Sequence, residues 1–233
     1  MPTPVLLNNI DHKDLRIITR RGAAYGDQLM AVATFPAEFR DVQACYPIVF
    51  HKTTDGLGFE PLVLFGFQDG ENLFLQGERW DAPYVPMMVE RQPFLIGVNG
   101  SELMVNVDLD HPRVSRTEGE EVFKPHGGTT DYLDRTNSLL FAIHNGMQDL
   151  PGFLHALLEH ELLESFTLDV ELNDGSQNRL LGFYTINEDR LQALSGEAIA
   201  KLHQAGYLQS IYMVIASLSN FRMLIDRKNA SLA

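Results

Sequence analysis

Short apolar runs rich in β-branched and aromatic residues, separated by turn signals, fill the first half of the chain. Residues 29–32, 46–52, 61–67, 72–76, 94–98 and 102–107 read as strands. Asp55-Gly56, Asp69-Gly70 and Asn99-Gly100 supply tight turns that favour positive φ. The runs 61–67 and 72–76 are expected to pair as a hairpin. Pro36 suits the first turn of a short helix through Cys45. Together these signals predict an antiparallel or mixed sheet.

The period then changes. Tyr132, Leu133, Thr136, Leu140, Ile143 and Met147 share one helical face. A second helix is expected from Pro151, with Leu154, Leu157, Leu158 and Leu162 as its stripe, forming a helical hairpin across residues 145–150. Phe166, Leu168, Val170 and Leu172 alternate as a strand, Asp174-Gly175 turns, and residues 180–186 return. Asn187 or Thr185 is placed to cap one short helix and Ser195 the next, and Gly206 suits the end of the second. A last helix is expected over residues 207–227. The predicted class is α+β: a sheet-rich N-terminal half, a helical middle, a β-hairpin and a helical tail. Residues 1–233 read as one domain, with residues 119–128 the best place for a subdivision.

Composition narrows the partners. Apolar residues make up 45% of the 233 and charged residues 21%, ordinary for a globular chain with a sizeable core. Asp and Glu number 31 against 18 Lys and Arg, a formal charge of −13. That field repels nucleic acid and anionic lipid. Cys45 is the single cysteine, which excludes an internal disulfide and a Cys-based zinc site. The N-terminus lacks the basic start and apolar run of a signal peptide. The longest near-apolar stretch, 207–218, is shorter than the ~20 residues a bilayer span needs. A cytoplasmic protein without membrane insertion is expected, with export lacking a cleavable signal as the alternative; homo-oligomerisation stays open.

Several segments carry candidate chemistry. Lys124, His126, Gly127, Gly128 and Thr129 precede a predicted helix and could approach an anion, although a helix cap by Thr129 or Thr130 explains the same residues. The Gly-Lys-Ser/Thr ending of a Walker A loop is missing. Asp108, Asp110 and His111 could bind a cation, but they also suit a solvated turn before Pro112, with Arg113 paired to an Asp. His155 and His160 stand five apart, about 140° around a helix, which defeats a zinc-protease reading. Gly56 to Pro61 lacks the third glycine of a dinucleotide fingerprint. Asn99-Gly100-Ser101 matches a glycosylation sequon. No metal or cofactor is expected.

The stretch 80–94 is the most unusual. Trp80, Tyr84 and Phe94 alternate with Pro83, Pro86 and Pro93, beside Arg79 and Arg91. Stiff backbone and rings with a polar edge suit a recognition surface, with Trp80, Tyr84, Arg79 and Arg91 as contacts; the rival account is a loop packed over the core.

Residues 46–50 (Tyr-Pro-Ile-Val-Phe), 64–67 (Leu-Phe-Gly-Phe), 80–86 (Trp-Asp-Ala-Pro-Tyr-Val-Pro) and 91–94 (Arg-Gln-Pro-Phe) form a set with 110–113 (Asp-His-Pro-Arg), 182–188 (Gly-Phe-Tyr-Thr-Ile-Asn-Glu) and 224–229 (Leu-Ile-Asp-Arg-Lys-Asn). This set resembles the SapC family of bacterial proteins over residues 46–229. The family's name implies a link to surface layers, and the resemblance also implies neighbours of flavin-dependent halogenase-like and cupin-like type. It brings no catalytic residues. The peptide-transport permease of the same name is a different protein. The reading is therefore a non-catalytic binding or accessory protein for a protein or peptide partner. A surface-layer component, and an enzyme with an anion site around Lys124, His126 and Asp131, are the alternatives.

Overall fold

The computed structural model describes residues 4–99 and 102–232. Gly100 and Ser101 of the Asn99-Gly100-Ser101 sequon lie outside the described residues. In chain order come strands β1 (Pro4–Leu6), β2 (Arg16–Ile17) and β3 (Ala31–Ala33), helix α1 (Phe39–Val42), strands β4 (Ile48–Lys52), β5 (Phe59–Leu64), β6 (Leu75–Gln76) and β7 (Arg79–Trp80), and helix α2 (Met87–Glu90). Strands β8 (Phe94–Asn99), β9 (Glu102–Asp108), β10 (Val114–Ser115) and β11 (Glu120–Glu121) lead into helix α3 (Asp131–Glu159). The hairpin β12 (Leu163–Glu171) and β13 (Gln177–Ile186) is followed by helices α4 (Glu188–Gln192), α5 (Gly196–Gln204), α6 (Tyr207–Ser217) and α7 (Asn220–Ser231). Every strand pairing among the described residues is antiparallel. The fold is α+β, with sheets first, a central helix, and a hairpin before a helical tail.

The chain divides into two compact units. The first holds residues 1–28, 75–81 and 87–145, the second residues 29–74, 82–86 and 146–233. In the first, the sheet β1-β9-β8 supports a core of Leu15, Ile17, Phe94, Val107, Leu133 and Leu140. Two smaller sheets, β10-β2-β11 and β6-β7, complete it. In the second, five strands run in the order β12-β13-β4-β5-β3. Their core is aromatic. Phe39 and Phe50 meet Phe153 at 5.9 and 6.5 Å between ring centroids, and Tyr46 contacts Phe65 and Phe74 at 5.4 and 4.7 Å. Asn187 and Ser195 cap α4 and α5 as expected, their side chains accepting from Arg190 N and Ala198 N.

Three sequence-based expectations are corrected. Among the described residues the runs 61–67 and 72–76 form no strand ladder, although Leu73 N–H donates to Phe65 O at 2.9 Å; β5 lies between β4 and β3, and β6 instead turns back on β7. The helical hairpin across residues 145–150 is a single 29-residue helix with Pro151 inside it. Proline removes one donor from a helix, and the remaining ladder carries α3 through. The glycines beside it mark packing and not a break. A Cβ at Gly146 would overlap the Phe35 ring, and one at Gly152 would sit 2.5 Å from the Tyr207 hydroxyl. The last predicted helix is two helices, interrupted at Leu218 and Ser219. There the Ser217 and Ser219 hydroxyls donate to Val214 O and Ala216 O at 2.6 and 2.8 Å, competing with the helical ladder. Ser217 Oγ also accepts from Ile48 N–H at 2.9 Å, tying α6 to the start of β4.

Length does not exclude the tail from membranes, as the 207–218 reading supposed. The combined Tyr207–Ser231 stretch, 25 residues, is long and apolar enough to cross a bilayer by those two measures alone. In the fold its Ile211, Val214, Phe221 and Leu224 are buried.

Gly146→Ala separates two opposed effects. Helix propensity would stabilise by about 1 kcal/mol, whereas overpacking costs about 1–3 kcal/mol. Phe35 is 1% exposed and has little room to yield. The overpacking cost is therefore expected in the upper part of its range, about 2–3 kcal/mol, leaving the variant less stable by about 1–2 kcal/mol in urea unfolding. A midpoint equal to or above the parent's would contradict the close approach.

Candidate functional site

The stretch expected to present rings is mostly committed to the interior. Trp80 is 7% exposed. Arg79 is exposed and donates to Asp81 Oδ1 at 2.9 Å, while Arg91 Nη1 donates to Phe94 O at 2.8 Å. Both guanidiniums therefore anchor their own segment. Tyr84, in the second unit, donates its hydroxyl to Glu38 Oε1 at 3.0 Å, and Thr34 Oγ1 donates to Glu38 Oε2 at 2.7 Å. Glu38 is 0% exposed. Burial first, and the Glu38 carboxylate second, push the Tyr84 phenol well above its ordinary value. The Tyr46 hydroxyl holds the Tyr84 carbonyl from the other side.

The glycine-rich segment is a small hairpin. Phe123 bridges Thr129, Lys124 N donates to Gly128 O at 3.0 Å, and Gly127 N donates to Lys124 O at 3.0 Å. Gly127 and Gly128 stand at φ 90° and 87°, where a side chain would strain the turn. Thr130 Oγ1 accepts from Leu133 N at 3.3 Å and donates to Glu121 O at 2.7 Å, so the start of α3 is capped. Thr129 Oγ1 donates to Asp134 Oδ1 at 2.6 Å. Lys124 and Thr130 line an open depression of about 570 Å3 with Arg16 and Arg135. His126, Gly127, Gly128 and Thr129 are not among its lining residues.

A buried ion pair organises the first unit. Arg113, 2% exposed, directs Nη2 at both Asp27 oxygens, each at 2.7 Å. Its Nη1 donates to Ile18 O at 2.9 Å and Arg20 O at 2.7 Å. Asp27 Oδ2 also accepts Gly22 N–H at 2.8 Å, and Arg21 Nη1 lies 3.6 Å from Asp27 Oδ1. The Asp expected to pair with Arg113 is thus Asp27, far away in sequence. Asp108 makes a local turn instead, its Oδ1 accepting Asp110 N at 3.2 Å. Among the described residues no metal-binding cluster of His, Cys, Asp or Glu occurs. His111 Nδ1 accepts Arg113 N–H at 3.2 Å, which fixes its neutral form with the proton on Nε2. Burial, then Arg113, push its pKa down, with Arg91 adding to this and Asp108 and Asp27 opposing.

An apolar groove opens beside the core of the same unit. Ile96, Met104 and Val105 from the β8–β9 hairpin, with Leu140 and Phe141 of α3, line about 260 Å3. Leu103 and Phe141, which also line it, are 41% and 56% exposed, and Val98, the cross-strand partner of Leu103, is 63% exposed. Strand β8 is the edge of its sheet. Leu7 N–H donates to Val105 O at 2.9 Å, so the Val105 backbone faces β1. Its cross-strand partner Ile96, and Val98 in the same register, therefore point their N–H and C=O groups away from β9, toward the free edge. Asn137 Oδ1, also lining the groove, is buried without a hydrogen-bond partner among the described residues. Sequence reasoning passed over this surface. Phe141 stands one position off the apolar stripe of α3, which was the available signal.

Two predictions follow from the ion pair and its neighbour. Asp27→Ala leaves the Arg113 charge buried and uncompensated, and unfolding free energy is expected to fall by about 3–5 kcal/mol. A loss under about 1 kcal/mol in urea titration would contradict this account of the pair. For His111, the folded pKa lies below the unfolded value of about 6.5, so the unfolded chain takes the proton first. Stability is accordingly lost as pH falls through about 6.5 toward the lowered folded value. His111→Gln should flatten the change in urea midpoint between pH 7.5 and pH 5, whereas an unaltered slope would remove His111 from the pH response.

No curated protein and no solved structure matches the chain. The SapC family model matches residues 7–224. With nearly its whole length inside that match, this chain belongs to the SapC family.

Proposed function

We propose that this SapC-family chain is a non-catalytic binding protein that docks an extended segment of a protein or peptide partner along the edge of β8. The carrying observation is an uncharged strand edge running beside an apolar groove. Residues 94–98, Phe-Leu-Ile-Gly-Val, hold no charge, in a chain where 21% of residues are charged. Edge strands are ordinarily blunted by lysine, proline or a covering element, because their free backbone groups template pairing. An added strand would bond to the Ile96 and Val98 backbone and place alternate side chains in the groove. Leu103 and Phe141 line the groove and Val98 pairs with Leu103 across the hairpin, exposed apolar side chains of the kind that mark an interaction site. Asn137 Oδ1 offers an acceptor to a donor on the partner.

The partner chemistry is an extended segment with apolar residues at every second position. Flavin-dependent halogenase-like or cupin-like proteins, suggested by the family resemblance, are the partners to try first.

Peptide display against the full chain tests this. Peptides alternating apolar and polar residues should be enriched. Their binding should slow hydrogen exchange at the Ile96 and Val98 amides. Phe141→Asp with Leu103→Lys should weaken binding about tenfold or more, as loss of a central anchor does, with the fold intact by circular dichroism. Enriched peptides that bind the double variant equally well would remove this surface from the function.

A further inference from the structure

The first unit also carries an unusual grouping of basic side chains. Most lysines and arginines of this acidic chain have found partners. Arg20, Arg21, Arg113, Arg179, Arg190 and Lys228 are examples, each within 4.0 Å of a carboxylate. Among the described residues, Lys13, Arg40, Arg116, Lys124, Arg135 and Arg222 are the basic side chains with no carboxylate, carbonyl or ring partner. With acidic residues outnumbering basic ones 31 to 18, pairing is the expected state. Four of those six converge. Lys124 and Arg135 line the depression of about 570 Å3, and Lys13 and Arg116 line one of about 300 Å3. Arg16 and Glu121 line both, paired with each other.

We propose that these adjoining depressions form a site for the anionic oxygens of a phosphate or carboxylate group, with Lys124 and Arg135 as the principal donors and Arg116 and Lys13 beside them. The site differs from the β8 edge in residues and in ligand chemistry, and it does not rest on the docking reading. The glycine hairpin and the capped start of α3 do not carry it; the side-chain cations do. Arginine's planar fork matches two oxygens of one group at once, and lysine adds a point charge. Three further carboxylates, Asp14, Glu120 and Asp131, line the same depressions. They keep the local field close to neutral. A long polyanion, repelled by the −13 chain as a whole, is therefore disfavoured, whereas one compact anion fits between the cations.

The test is an amide chemical-shift titration of the full chain with sodium phosphate, sodium acetate and sodium chloride at matched ionic strength. Phosphate is expected to give saturable shifts at Glu121, Lys124, Thr130 and Arg135. A matching response to acetate would extend the site to carboxylates, and none to acetate would restrict it to the dianion; either outcome supports the proposal. Lys124→Ala with Arg135→Ala removes two exposed side chains and should weaken phosphate binding about tenfold. The variant's own amide spectrum reports whether the fold is retained. Shifts that chloride reproduces, silence to both phosphate and acetate, or a folded double variant that titrates like the parent would overturn the proposal.

Discussion

Arg113 sits at 2% exposure with four hydrogen bonds from its two terminal nitrogens, two to Asp27 and two to backbone carbonyls. A charge taken out of water costs several kcal/mol unless its partners are fixed in place, so the segments carrying those partners have little freedom to move. The carbonyls belong to Ile18 and Arg20, just after β2, and the carboxylate to Asp27, just after a turn of 3₁₀ helix at Ala23–Tyr25. Arg113 itself immediately precedes β10, which pairs with β2. One side chain thus ties residues 18–27 to the start of β10. Arg16 of the polar depressions stands on β2, and Glu120 and Glu121 form β11, which pairs with β2 on its other side. The pair is better understood as a positioning device than as a large source of net stability, since its attraction mostly offsets its own desolvation.

The first unit's two surfaces use opposite chemistry on one scaffold. Helix α3 supplies Tyr132 and Arg135 to the polar side and Leu140 and Phe141 to the groove, with Leu133 and Leu140 in the core. Turning 100° per residue, a helix carries residues 135 and 141 far apart around its axis. The groove extends the core: Ile96 and Val105 pack against the buried cluster, and Val98 and Leu103, one register step further, emerge into solvent. A strand edge that stays apolar past the end of its core is unusual on grounds of solubility alone, and the proposed docking of an extended partner segment would cover it.

The α+β class, the β8–β9 and β12–β13 hairpins, and the caps at Asn187 and Ser195 were all legible, because each follows from local period or turn chemistry. The misreadings share a cause. Gly146 and Pro151 look like helix breakers, yet Phe35, over a hundred residues earlier, needs the glycine's missing Cβ. For Trp80 and Tyr84 the sequence left two accounts open, a recognition strip and a loop packed over the core, since aromatic residues suit interfaces and cores equally well, and only packing separates the two uses. Lys124 was legible as a candidate for anion contact, whereas Arg16, Arg116 and Arg135, scattered along the chain, could not be grouped with it.

The sequence by itself determined the family, the class of fold, the acidic field and the local hairpins and caps. Only the tertiary structure decided that Asp27 answers Arg113, that the ring-bearing stretch turns inward, and that β8 is left as an edge. Period and turn propensity act over a few residues. Partner choice for a buried charge, the side of a sheet left open and the gathering of distant cations depend on how separate segments meet in space, which no local pattern encodes.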